Sequence, residues 1–139
     1  MKFWDSAAIT PLLVNESESP AREAQLQADP ELLVWYGTPA EIESAICRRE
    51  RESALDAVAA ANARAKLAVL ARAWSEVQPT TLVRARAIRL LRVHPLRTAD
   101  AFQLAAALVA FQEQTAGASF LTSDKRLAEA AQREGFLPE

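Results

Sequence analysis

Four acidic residues stand where a folded chain could put them to chemical use: Asp5, Glu43, Asp100 and Asp124. Most other acidic residues fall on polar helix faces and need no functional account. Asp5 directly follows a short apolar segment, and Asp124 follows another. Asp100 lies in the first turn of a helical stretch, and Glu43 in the first turns of the helix after the apolar run Leu32–Tyr36. Clustered carboxylates repel, so without cations some would hold a proton. Hard divalent cations relieve the repulsion, and Mg2+ in particular takes oxygen ligands while keeping several waters. One metal can acidify a water to make a nucleophile, and a second, about 4 Å away, can stabilise the leaving oxygen of an in-line phosphoryl displacement. That chemistry needs carboxylates, positioned water and a phosphate, but no histidine.

Plainer explanations compete for each acid. Aspartate is favoured in helix first turns by capping and by the macrodipole, which accounts for Asp100 or Asp124 taken singly. Asp5 is harder to dismiss, because a carboxylate straight after a buried strand is costly without partners. Thr38-Pro39-Ala40-Glu41 reads as a capping box, which gives Glu41 a structural role as the reciprocal partner of Thr38. Glu43, two residues on, has no such role and is the preferred ligand.

The elements that must carry these residues alternate between short apolar strands and amphipathic helices. Met1–Trp4 reads as a strand running into a helix over Ala7–Val14. Ser19-Pro20 opens a polar helix that Asp29-Pro30 closes. Leu32–Tyr36, bounded by Pro30 and Gly37, has the length and flanks of a buried strand. The helix after it turns Ile42, Ala45 and Ile46 inward. The Ala-rich stretch from about Ser53 to Trp74 reads as one long helix, and Thr80–Val93 as another. Arg97–Asp100 opens a helix to about Gln114, Ser119–Thr122 is a short strand, and Ser123-Asp124 starts a last helix ended by Gly135. The pattern predicts an α/β fold, a three-layer α/β/α sandwich with a small parallel sheet, in a single domain over residues 1–139. In such a sheet ligands bind outside the carboxyl ends of the strands, where elements remote in sequence deliver their carboxylates to one crevice.

Composition excludes several alternatives. A single histidine, His94, followed by Pro95, and a single cysteine, Cys47, leave little for zinc sites, cysteine–histidine dyads or serine–histidine triads. Three glycines and one cysteine argue against a disulfide scaffold or a low-complexity chain. No apolar run approaches the roughly 20 residues of a membrane span, and the first residues lack a secretory pattern, so the cytoplasm is the expected location. With a net charge of −2 the molecule is no polycation, and any nucleic-acid contact must be local or must work through metal ions.

The residues around the four acids resemble those of the PIN-domain family as found in VapC-type toxins. That pattern has an Asp-Ser or Asp-Thr ending the first strand, matched by Phe3-Trp4-Asp5-Ser6. It has a glutamate followed by Ser-Ala and an arginine, matched by Glu43-Ser44-Ala45-Ile46-Cys47-Arg48. A later Asp-Ala opens an amphipathic helix, here Asp100-Ala101, and a Thr-x-Asp closes the set, here Thr122-Ser123-Asp124. The four pieces occur in order over nearly the whole chain. The resemblance implies a metal-dependent endoribonuclease, with Mg2+ or Mn2+ as cofactor and RNA as substrate. It also implies a homodimer inhibited by a cognate antitoxin. Asp5, Glu43, Asp100 and Asp124 would form the acidic metal site, with Ser6, Thr98 and Thr122 as hydroxyls that hold carboxylates or water. Two departures are Trp4, bulkier than the aliphatic residue expected beside Asp5, and Gln103, which stands where many relatives have histidine.

Arg48, at the rim of the expected crevice, and Arg97 are the candidate phosphate contacts, which position RNA without reading its sequence. Arg86, Arg89 and Arg92 recur along one helix and read equally as a solvated face. Trp35, Tyr36 and Trp74 could stack bases, although Trp35 and Tyr36 lie in an apolar strand where core packing is the stronger reading. Alternative readings are a PIN-fold nuclease in RNA processing or on DNA without an antitoxin, and a module that binds nucleic acid or protein without catalysis. A phosphotransferase with Asp5 as nucleophile is disfavoured, because no Asp-x-Asp stands at that strand end.

Overall fold

The computed structural model describes the whole chain, Met1–Glu139. Four parallel strands form one sheet in the order β3-β2-β1-β4. They are β1 (Lys2–Trp4), β2 (Leu32–Trp35), β3 (Ser75–Val77) and β4 (Phe120–Leu121). Seven helices surround them: α1 (Ser6–Leu13), α2 (Ser19–Ala28), α3 (Thr38–Arg51), α4 (Ala57–Leu70), α5 (Thr81–Val93), α6 (Thr98–Ala110) and α7 (Lys125–Arg133). None of the helices is long and apolar enough to cross a membrane.

Strands β1, β2 and β4 are covered on both faces, and their side chains alternate with period two between two separate cores; β3, at the edge, is more open. Trp4, Leu32, Val34 and Leu121 enter the core that holds Ile9 of α1, Ile42 and Ile46 of α3, and Ala60 and Ala63 of α4. Phe3, Leu33, Trp35 and Phe120 enter the other, with Leu90 of α5, Leu104 and Leu108 of α6, and Leu127 of α7. Two cores on opposite faces of one sheet are the three-layer α/β/α arrangement that the sequence predicts. In register, Phe3 pairs with Phe120, and their rings stack with centroids 5.1 Å apart. Trp4, fully buried, is a core residue, which accounts for its bulk beside Asp5. Burying a large apolar side chain of this kind contributes roughly 1.5–3 kcal/mol.

Three expectations about elements need correction. The stretch from Ser53 to Trp74 is not one helix: α3 ends at Arg51, Ser53 takes a positive φ of 58°, and α4 restarts at Ala57. Asp56 caps α4, its carboxylate accepting from the Ala59 amide at 2.7 Å. The chain then forms β3, which its sequence conceals because Ser75-Glu76-Val77 carries a single apolar residue. Nor does the capping box at α3 form. Gly37 is the N-cap, without a side-chain bond, and Thr38 lies inside the helix, fully buried. Gly37 is required by close approach, since a Cβ there would stand 2.7 Å from Trp35 Nε1. Finally, α6 stops at Ala110, where Gln112 and Glu113 take positive φ, short of Gln114.

Candidate active site

β1 leads to β2 on one side and is joined by β4 on the other, so the direction of strand addition reverses at β1. A parallel sheet opens a crevice at the carboxyl end of its strands at such a point. Asp5 is the first residue beyond β1 and the N-cap of α1. It is only 3 % exposed. Its carboxylate accepts from the Thr122 hydroxyl at 2.7 Å, from the Ser6 hydroxyl at 3.3 Å and from the Ala7 amide at 3.4 Å. Thr122 follows β4, and its hydroxyl oxygen also accepts from the Asp124 amide at 3.0 Å. One hydroxyl therefore ties the ends of the neighbouring strands β1 and β4 together.

Glu41, Asp100 and Asp124 stand around Asp5. Asp100 is half-buried in the first turn of α6. Asp124 is exposed and caps α7, with Oδ1 accepting from the Leu127 amide at 2.9 Å. Glu41 projects from α3, and its Oε2 accepts from the Gln103 amide at 2.6 Å. Burial pushes the Asp5 carboxyl up to about 6; the Asp100 charge adds to the effect and the Thr122 bond opposes it. Burial, then the charges of Asp5 and Asp100, push Glu41 up to about 7 against the Gln103 bond. Asp100 is raised by burial and by the Asp124 charge, with Arg97 opposing. Glu41, Asp5, Asp100 and Asp124 thus form an unbroken series of like charges, and none of the four is in a salt bridge.

The fourth acid is therefore not the one expected. Glu43 turns away from the cleft and pairs with Arg64 of α4 at 2.8 Å, and that bond holds its carboxyl below the usual range. At about 100° per residue, positions 41 and 43 are about 200° apart around α3 and cannot both face the strand ends. The hydroxyls also divide. Ser6 and Thr122 bond Asp5, whereas Thr98 is exposed and bonds none of the acids.

Two adjoining clefts open over these residues. The larger, about 490 Å3, is lined by Ser6, Glu41, Arg48, Arg49, Arg97 and Asp100 among others. The smaller, about 190 Å3, is lined by Arg97, Asp100, Asp124, Lys125 and Arg126. Arg97 and Asp100 border both, while Asp5 is buried beside them. Arg48 and Arg97 are exposed at the rim. Arg49 is engaged by Glu16, at 2.6 Å. Arg86 of the α5 row is engaged by Glu113 and Glu134. His94 Nε2 lies 2.6 Å from Glu134 Oε1, so the one histidine joins the ends of α5 and α7. Trp35 stacks on Phe102, leaving Tyr36 as the exposed aromatic of that pair.

Two supporting residues carry little functional signal in the sequence. Arg22 of α2, 6 % exposed, donates to the Thr122 carbonyl at 3.0 Å and to the Ser123 hydroxyl at 3.2 Å, clamping the end of β4. Its sequence signal is an arginine on an otherwise unremarked polar helix. Gln103 of α6 is the other: it departs from the family pattern, and its bond to Glu41 is not legible from that departure.

The donor set suits a hard divalent cation: all oxygen, like-charged and without protein cations in contact. No three acidic, histidine or cysteine side chains converge closely enough to grip one ion by themselves. An ion here would take one or two carboxylates and complete its shell with water, which is the habit of Mg2+.

The family model of the PIN domain matches residues 2–133. Among solved structures, the fold is similar to that of Mycobacterium tuberculosis VapC20, described as a sarcin-ricin loop cleaving toxin. The TM-score is 0.69 over 100 % of this chain and 98 % of that one, at 18 % sequence identity. No curated protein matches the sequence significantly. The chain belongs to the PIN-domain family.

Proposed function

We propose that this chain is a Mg2+- or Mn2+-dependent endoribonuclease of the cytoplasm, the toxin of a toxin–antitoxin pair. Asp5, Glu41, Asp100 and Asp124 would form the acidic site, one or two of them binding the metal directly and the others through its water shell. The observation that carries this reading is the gathering of Glu41, Asp5, Asp100 and Asp124, none of them in a salt bridge, at the point where strand addition reverses. Membership of the PIN-domain family and the fold shared with VapC20, a toxin that cleaves the sarcin-ricin loop, support the substrate class and the toxin role.

A divalent cation bound there would supply Lewis acidity toward water and phosphate oxygens. The chain's own residues do the rest. Thr122, Ser6 and the Ala7 amide orient Asp5, and burial keeps it out of competing water. Arg48 and Arg97 meet backbone phosphates at the rim and place the scissile phosphodiester over Asp100, for in-line attack by water. Lys125 and Arg126 would extend that contact along the smaller cleft. An apolar groove of about 430 Å3 between α1, α2 and α4, lined by Leu12, Leu26 and Val69, offers an antitoxin a face. The exposed Leu82, Ile88 and Val93 of α5 offer one to a second copy in a homodimer.

Cleavage of a labelled mixed RNA pool by purified protein with Mg2+, Mn2+ or EDTA, beside Asp5→Asn, tests this. Metal-dependent cutting that EDTA and the substitution each abolish is the expected result. Binding of RNA without cutting under any metal would transfer the site to a non-catalytic module.

A further inference from the structure

Gln103 is fully buried, and its side-chain amide sits between two elements. Its Nε2 donates to Glu41 Oε2 at 2.6 Å and to Thr38 Oγ1 at 3.1 Å, both on α3. Its Oε1 has no protein partner. A buried amide that uses both donors and leaves its acceptor unsatisfied is destabilising, a cost that a core-filling apolar residue would avoid. The amide cannot reverse without setting its oxygen against the Glu41 carboxylate, so the chemistry of the neighbour fixes its orientation. Gln103 also lies three residues after Asp100, on the same face of α6. One turn of α6 thus presents a carboxylate to the cleft and, beside it, the amide that holds the carboxylate from α3.

We infer that Gln103 is a positioning residue that holds Glu41 toward the cleft in a metal-binding orientation, with Thr38 anchoring the amide. The inference rests on the reading of the four acids as a metal site. Glu41 is a long, rotatable side chain on a half-exposed helix face, and no other hydrogen bond restrains its carboxylate. Without the amide it would swing toward solvent. Partners that orient a metal-ligating carboxylate typically change metal affinity 10–100-fold when removed.

The test is direct Mn2+ binding, by paramagnetic resonance of the free ion, on the wild type, Asp5→Asn, Gln103→Met, Thr38→Val, Glu41→Gln and the Gln103→Met/Glu41→Gln double variant. RNA cleavage is titrated with Mn2+ in parallel. Methionine fills nearly the same volume without a donor, so the fold is retained; Thr38→Val probes the same hold from the other side. Gln103→Met is expected to weaken Mn2+ binding about 10-fold. Its cleavage rate should return to within about 3-fold of wild type at saturating Mn2+, and Thr38→Val should shift binding the same way by less. In the Glu41→Gln background, Gln103→Met should add no further loss, because the metal-binding carboxylate it orients is gone. Wild-type affinity in Gln103→Met, with Asp5→Asn abolishing binding, would overturn the inference and leave the metal site standing. An undiminished Gln103→Met effect in the Glu41→Gln background would also overturn it, by showing general loosening of the core. A wild type that neither binds Mn2+ nor cleaves would remove both readings.

Discussion

The Thr122 hydroxyl donates to Asp5 Oδ2 at 2.7 Å across 117 positions of sequence. This bond joins the carboxyl ends of β1 and β4, and it lowers the pKa of an aspartate that burial raises. Thr122→Val keeps the shape and removes the bond. The Asp5 carboxyl should then rise further, leaving less of it ionised near neutrality. Cleavage at pH 7 should fall about 10-fold, with the acidic limb of the pH–rate profile displaced to higher pH. An unmoved limb would mean that Asp5 is not the group titrating there.

Asp5 and Glu41 both hold protons more readily in the folded chain than in the unfolded one, with folded values of about 6 and about 7. The folded state therefore binds the extra protons in the interval above the ordinary carboxylate range, and metal-free stability falls as pH rises through it. Asp5→Asn removes the buried charge. In EDTA at pH 8 it should be more stable than wild type by on the order of 1–3 kcal/mol, a gap that closes toward pH 4. Mg2+ should raise the Tm of the wild type at pH 8 more than that of Asp5→Asn. Equal urea midpoints for the two proteins at pH 8 would contradict the burial argument.

Glu41 and Glu43 are two residues apart and face different partners, so their substitutions should separate cleanly. Glu41→Gln should lower cleavage on the order of 100-fold. Glu43→Gln weakens only its contacts with Arg64 and Cys47, away from the cleft, and cleavage should stay within about 3-fold of wild type. Kinetics on the two variants at one Mg2+ concentration decide the assignment, and the reverse ranking would restore Glu43 to the site.

Arg22 reaches the Thr122 carbonyl from α2 and supports the residue that supports Asp5. Arg22→Ala leaves that carbonyl and a buried space without a partner. It should cost about 2–3 kcal/mol in urea unfolding. Cleavage should also fall at temperatures where the variant remains fully folded. Lost stability with unchanged cleavage would confine Arg22 to the fold.

The alternation of short apolar runs with helices, legible residue by residue, was enough to predict the parallel sheet and its two covering layers. Strand faces follow from period two, and so do the two cores. Asp5 could be singled out because a charge beside a buried strand needs a reason, whatever the rest of the chain does. Which glutamate joins it could not be read. Glu41 and Glu43 lie about 100° to either side of Ile42, so the inward stripe of Ile42, Ala45 and Ile46 fits both equally well. The packing of α3 against α1 and α4 chooses between them: Arg64 on α4 takes Glu43, and Gln103 on α6 takes Glu41. The hydroxyls follow the same logic, since Thr98 and Thr122 both stand two residues before an aspartate, yet only Thr122 lies at a strand end beside β1. β3 carries too few apolar residues to declare itself and is a strand because β2 offers it an edge. Local periodicity fixes which residues can be buried; the rotational setting of each helix, and so the direction of its polar side chains, comes only from its neighbours.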